Sequence, residues 1–177
     1  MGKRSSFERV ERDFYPTPLE AVHPLLPHLN ESSRFIECCA GDGRLIQHLE
    51  AAGHSCVSAF DIAPQAEGIA VKDALHTTST DVIHTDYIIT NPPWTRTFLH
   101  RFIEHYVHLN KPTWLLFDAE WAHTKQSAPY MQHVARIVSV GRVKWIPNSK
   151  HTSKDSCAWY LFKSNAQLTE FYGREHV

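Results

Sequence analysis

No apolar run in the sequence approaches the roughly 20 residues a membrane-spanning helix requires. The N-terminus, Met1-Gly2-Lys3-Arg4-Ser5-Ser6, also lacks the apolar segment of a secretion signal, so a cytoplasmic protein without membrane contact is expected. Cysteine is scarce: Cys38, Cys39, Cys56 and Cys157 lie in apolar surroundings without CxxC spacing, which argues against a disulfide framework or zinc site and predicts reduced core thiols. The 13 histidines are scattered, with no HExxH and no His-plus-Cys cluster, so no metal is expected. An excess of one charge is missing too. With 18 Lys+Arg against 19 Asp+Glu the net charge is −1, which announces no strongly basic nucleic-acid binder, although a neutral sum can hide a local patch. What is present, 177 residues with 42% hydrophobic and 21% charged, suits one globular domain with a real core.

Along the chain, residues 1–13 mix charges without an apolar pattern and are expected to form a loose arm before a single domain over 14–177. Phe14-Tyr15-Pro16-Thr17-Pro18 enforces an extended path, and Thr17 with Glu20 fits a T-x-x-E box capping a helix from Pro18, which Pro24 and Pro27 then interrupt. Residues 33–43 read as a buried strand running into the tight turn Gly41-Asp42-Gly43. A helix follows over 44–52, with Leu45, Ile46 and Leu49 on one face, and then a second strand over 55–60. This is a βαβ unit with an acid, Asp61, about 20 residues after the first glycine, the spacing that sets a ribose between turn and acid in Rossmann-like folds. The third glycine of GxGxxG is replaced by Ile46, so the dinucleotide fingerprint fails. Glu37, Asp42, Asp61 and Asp73 would gather at the strand ends, where they repel a pyrophosphate and welcome a cationic cofactor. S-adenosylmethionine fits that charge: it carries a sulfonium and an ammonium and no phosphate.

Tyr87-Ile88-Ile89 reads as a strand opening into Asn91-Pro92-Pro93-Trp94. The prolines fix φ and carry no N–H, so this turn offers rigid carbonyl acceptors, with the Asn91 amide oxygen and the flat Trp94 beside them. Two convergent acceptors next to an aromatic plane fit a planar ligand with an exocyclic NH2 group. Beyond it, Phe98, Leu99, Phe102, Ile103, Tyr106 and Val107 give a helix over 97–108. A strand over 112–118, a broken and helical 119–134, and two late strands over 137–143 and 157–162 complete the pattern. The hairpin between those strands holds Arg142, Lys144, Lys150 and Lys154 with Trp145 among them, and suits a phosphate backbone with one unstacked base.

Taken together, Phe14-Tyr15-Pro16-Thr17-Pro18, the Glu37-x3-Gly41-x-Gly43 turn, Asp61, Asp73 and Asn91-Pro92-Pro93-Trp94 stand in the same order as in class I S-adenosylmethionine-dependent amino-methyltransferases. The chain most resembles the small, phage-encoded DNA adenine-N6 methyltransferases, from about residue 14 to residue 163. That resemblance implies a Rossmann-like, mostly parallel, seven-stranded sheet with a late antiparallel hairpin and helices on both faces. It implies that Tyr15, Thr17, Glu37, Gly41 and Gly43 surround the methionine part of the cofactor, that Asp61 holds the ribose and Asp73 the adenine amine, and that Ile62 packs on the adenine ring. Asn91 and the Pro92 carbonyl would accept from the target amine, with Pro93 stiffening the turn and Trp94 stacking on the target base. Many relatives include a target-recognition domain. Here only a short gap separates Asp73 from Asn91, and only residues 164–177 follow Lys163, so sequence preference would come from short loops, from a partner, or hardly exist. DNA is the favoured partner. Adenine methylation in RNA, methylation of a glutamine amide in a protein, and a non-catalytic nucleic-acid-binding module remain as alternatives.

Overall fold

The computed structural model describes residues 15–146 and 152–174. The arm over 1–13, and Phe14 and Lys150, lie outside them. The elements in order are α1 (Leu19–Val22), β1 (Arg34–Glu37), α2 (Arg44–Ala51), β2 (Ser55–Asp61), β3 (Ala70–Val71), α3 (Ser79–Val82), β4 (Tyr87–Thr90), α4 (Arg96–His108), β5 (Thr113–Asp118), β6 (Val134–Gly141), β7 (Cys157–Phe162) and β8 (Glu170–Tyr172). They build an eight-stranded sheet of order β3-β2-β1-β4-β5-β7-β6-β8. Only β7 runs against its neighbours β5 and β6; every other pairing is parallel.

The alternation along each strand explains why helices cover both faces. Ile36, Ile88, Leu115, Phe117, Ile137, Tyr160 and Phe162 pack on one side with Leu99, Phe102, Ile103 and Tyr106 of α4. Their chain neighbours Phe35, Ile89, Trp114, Leu116, Val138, Trp159 and Leu161 pack on the other with Ala21 and Val22 of α1 and Leu45 and Leu49 of α2. Successive side chains of a strand point to opposite faces, so an unbroken apolar strand requires apolar cover on both. The Trp159 indole N–H donates to the Ala21 carbonyl at 2.7 Å and ties α1 to the sheet.

Several expectations are corrected. The sheet has one strand more than seven: β8 pairs parallel with β6, and all three of its residues are exposed. The first helix begins at Leu19 after Pro18, and no side chain caps it, so Thr17 does not play the capping part its T-x-x-E spacing implies. The stretch 119–134 holds three short 3₁₀ turns and no α-helix. Strand β6, expected over 137–143, spans Val134–Gly141: it starts three residues earlier and ends short of Val143. Within 74–85, where the sequence pattern is weak, α3 forms on a capping box: the Thr78 hydroxyl accepts from the Asp81 N–H, and the Asp81 carboxylate accepts from the Thr78 N–H. No helix among the described residues is long and apolar enough to cross a membrane, and all four cysteines are free.

Candidate functional site

Strand order reverses between β1 and β4: from β1 the chain steps outward through β2 and β3, and it then returns to β4 on the other side. Such a reversal opens a crevice beyond the carboxyl ends of the two strands, and ligands of open α/β sheets bind there. The β1 end carries Glu37 and the glycine turn, the β4 end carries Asn91-Pro92-Pro93-Trp94, and the β2 end carries Asp61.

The turn after β1 is built on left-handed backbone. Gly41 has φ 51° and Gly43 φ 78°, values that disfavour any residue with a Cβ. Gly41 N–H donates to Asp61 Oδ2 at 2.9 Å, and Ala63 N–H donates to Asp61 Oδ1 at 2.7 Å. One carboxylate thus clamps the glycine turn and the loop after β2, and each oxygen keeps a second lone pair. Asp73 Oδ1 accepts from Leu75 N–H at 2.9 Å and caps the 3₁₀ turn after β3. Ile62, directly after Asp61, is an aliphatic side chain left 65% exposed beside these acids.

Glu37 is 1% exposed. Burial pushes its carboxyl up to about 8, and the nearby Asp61 charge adds to the rise, while the Cys39 N–H it accepts at 3.1 Å opposes it. A carboxyl kept neutral by lack of water is poised to ionise when a cation arrives.

At the end of β4 the sequence-expected acceptor is held from both sides. Asn91 Nδ2 donates to the Thr17 hydroxyl at 3.2 Å, and Asn91 Oδ1 accepts from the Trp94 indole N–H at 3.1 Å. An indole N–H only donates, so the amide cannot be flipped without facing N–H against N–H. The oxygen keeps one lone pair for a ligand. Trp94 N–H is shared with the Leu116 carbonyl at 3.1 Å. Pro92 is buried, and among the described residues its carbonyl accepts no hydrogen bond. Thr17, expected beside the cofactor, is therefore also a positioning residue for Asn91. Under the methyl-transfer reading proposed below, Thr17→Val is expected to slow turnover by about tenfold, the scale of one lost hydrogen bond, with melting temperature little changed. Unaltered kcat in steady-state assays would remove Thr17 from the acceptor.

The basic hairpin reaches the same crevice at one point. Trp145 lies edge-on to Trp94, with ring centroids 5.6 Å apart at 87°. Its root is pinned by Lys144 N–H donating to Glu20 Oε1 at 2.5 Å and Ser153 N–H donating to the Val143 carbonyl at 2.9 Å. Arg142, Lys144 and Lys154 are exposed. Tyr15 is half-buried and lies two residues before Thr17. One feature was not anticipated: Arg96, at the start of α4, pairs through Nη2 with Asp118 Oδ2 at the end of β5, 3.0 Å apart. Its only sequence signal is that each residue ends or begins an element on the carboxyl edge of the sheet.

Among the described residues no group of three His, Cys, Asp or Glu side chains could hold a metal ion. No protein-family model and no curated protein sequence matches the chain. Solved structures do share its fold. A protein from Listeria monocytogenes, assigned as a class I S-adenosylmethionine-dependent methyltransferase, superposes with a TM-score of 0.62 at 12% identity over 95% of this chain and 68% of that one. A Pyrococcus horikoshii protein assigned as an RNA methyltransferase gives 0.56 at 16% identity over 91% of each chain. The modification subunit assigned to a type I restriction enzyme of Vibrio vulnificus gives 0.55 at 10% identity over 93% of this chain and 48% of that one. The fold is therefore the Rossmann-like α/β fold found in these methyltransferases.

Proposed function

We propose that the protein is an S-adenosylmethionine-dependent methyltransferase whose substrate is nucleic acid, and that it methylates the exocyclic N6 amine of adenine in DNA. The observation that carries this reading is the Asn91 amide, locked by Thr17 and Trp94 with one lone pair free, beside a buried Pro92 carbonyl that accepts nothing among the described residues. Fold neighbours assigned to RNA and to restriction-modification systems are in keeping with a nucleic-acid substrate.

The donor set fits the cofactor. Glu37 offers a carboxyl to the ammonium, the free lone pairs of Asp61 suit ribose hydroxyls, Asp73 offers its second oxygen to an adenine amine, and exposed Ile62 gives the ring an apolar face. Left-handed Gly41 and Gly43 keep the backbone close to the methionine portion. The bound cofactor supplies a methyl group made electrophilic by its positive sulfur. The chain's own work lies on the amine. An exocyclic adenine amine is a weak nucleophile because its lone pair is delocalised into the ring. Accepting its two N–H bonds at Asn91 Oδ1 and the Pro92 carbonyl draws them out of the ring plane and returns electron density to nitrogen, while fixing the line of attack. With both N–H bonds so accepted, the amine nitrogen would offer its lone pair to the methyl group that the bound cofactor would supply. The proton then lost from nitrogen is acidic enough for water, so no strong base is required. Trp94 and Trp145 wall the target position, and Arg142, Lys144, Lys150 and Lys154 supply charge for the phosphates. A paired base must be flipped out to reach such a turn, which costs a few kcal/mol and favours single-stranded or transiently opened substrates.

The test is methyl transfer from labelled S-adenosylmethionine onto a panel of duplex DNA, single-stranded DNA, RNA and protein. Label in DNA is expected; label in RNA alone moves the substrate to the second nucleic acid, and label only in protein overturns the reading. A pH dependence follows from Glu37. Its folded value, about 8, lies above its ordinary value of 4.5. The folded state therefore holds a proton that the unfolded state has lost between those values, and Glu37 makes stability fall as pH rises through that window. A bound ammonium favours the ionised form, so cofactor affinity rises by up to about tenfold per pH unit between about pH 6 and 7.5, with proton release. Glu37→Gln abolishes both effects; calorimetry in buffers of different ionisation heat reads the released proton, and a slope unchanged in the variant contradicts the assignment.

A further inference from the structure

Just past the acceptor loop, at the start of α4, a shallow cleft of about 340 Å³ is lined by Arg96, Thr97, His100, Gln126, Pro129 and Tyr130. None of them takes part in the transfer described above. Arg96 lies just past Trp94, and its guanidinium is half used. Nη2 is held by Asp118, whereas Nη1 is shielded from solvent and has no hydrogen-bond partner. A guanidinium nitrogen buried without a partner is an unspent donor, which a ligand acceptor satisfies only by displacing the side chains that cover it.

The walls are set before any ligand arrives. His100 Nε2 lies 3.1 Å from the Trp121 indole nitrogen, and an indole only donates, so the imidazole proton sits on Nδ1. Partial burial, followed by the Arg96 charge, lowers the His100 pKa and favours this neutral ring. The imidazole packs tilted against Tyr130, with centroids 4.5 Å apart at 31°, and the Tyr130 hydroxyl donates to Glu104 Oε1 at 2.7 Å.

The charge balance decides what fits. Asp118 already neutralises Arg96, and Glu104 stands behind Tyr130, so the cleft is poorly suited to a phosphate. Flat faces from Tyr130, His100 and Pro129, with polar side chains at Thr97 and Gln126 and the unspent donor of Arg96, suit a neutral planar ring with acceptors along one edge. We propose that this cleft binds a second base of the substrate strand, next to the target adenine. A base with two adjacent edge acceptors, guanine foremost, fits it best. The cleft then supplies sequence preference from within the domain. This inference rests on the nucleic-acid reading above.

The test uses single-stranded oligonucleotides with one target adenine, in which each flanking position carries in turn every base or an abasic residue. At one flank, the abasic substitution lowers kcat/KM by about tenfold or more, the scale of one good base contact, and guanine is preferred there. Arg96→Ala and, separately, Gln126→Ala flatten that preference while cofactor affinity stays unchanged. A flat scan with the wild type overturns the subsite and leaves the methyltransferase intact. Preference that survives in both folded variants also overturns it. Failure to methylate any polymer instead overturns the reading on which the subsite depends.

Discussion

Asn91→Ala is expected to lower methyl transfer by about 10²–10³-fold, the scale for losing one preorganised hydrogen-bonding group at a reacting centre, and to leave cofactor affinity nearly unchanged. The separation follows from position. Asn91 stands at the end of β4 and makes no hydrogen bond to Glu37, the β1 turn, Asp61 or Asp73; its one partner among the residues expected beside the cofactor is the Thr17 hydroxyl, which accepts from it. Asn91→Asp provides the control. A carboxylate still accepts from the Trp94 N–H, and the Thr17 hydroxyl can reverse its role and donate to the second oxygen. Activity within about tenfold of wild type is therefore expected, since both the acceptor and its anchors survive. Single-turnover rates check both variants. Equal loss in Ala and Asp forms would show that the amide N–H, and not the oxygen, is what matters.

The second large effect is on binding. Asp61→Ala removes the acceptor of the Gly41 and Ala63 N–H groups at 2.9 and 2.7 Å together with the proposed ribose contact. Three donors lose one partner, so the cofactor Kd rises by about 10–100-fold or more, equivalent to roughly 1.4–3 kcal/mol. Asp61→Asn keeps one acceptor oxygen and falls between the two. Calorimetric titration with the cofactor or its demethylated product reads the change. Affinity equal to wild type would place the ribose elsewhere.

How much of this was legible in the sequence depended on the distance between partners. The turn after β1 and the end of β4 could be read because each is local: two glycines forced to positive φ, two prolines and an apolar run that stops. Thr17 was misread because its spacing to Glu20 matches a helix cap, whereas its partner Asn91 lies 74 residues away. Arg96 and Asp118, 22 residues apart, meet only because parallel β4 and β5 end side by side. Strand β8 has an ordinary apolar pair, Phe171-Tyr172, but no burial to impose a period-two pattern, so it was invisible until β6 offered an edge. Residues 119–134, expected to be broken and helical, hold no α-helix. Anchoring of Trp121 in the core and the arrest at Pro129 divide them into 3₁₀ turns. The strands that were read well are those buried on both faces, above all β5 and β7, whose composition leaves no alternative to the centre of a sheet.

The central claim is that the free lone pair of Asn91 and the Pro92 carbonyl receive an exocyclic adenine amine. Two oligonucleotides that differ only at the target, one bearing adenine and the other an unsubstituted purine without the N6 amine, test it most directly. With labelled S-adenosylmethionine and nucleoside analysis by mass spectrometry, the account predicts N6-methyladenine from the first and no label in the second. Equal labelling of both, or label recovered on a ring carbon or a ribose oxygen, would contradict it.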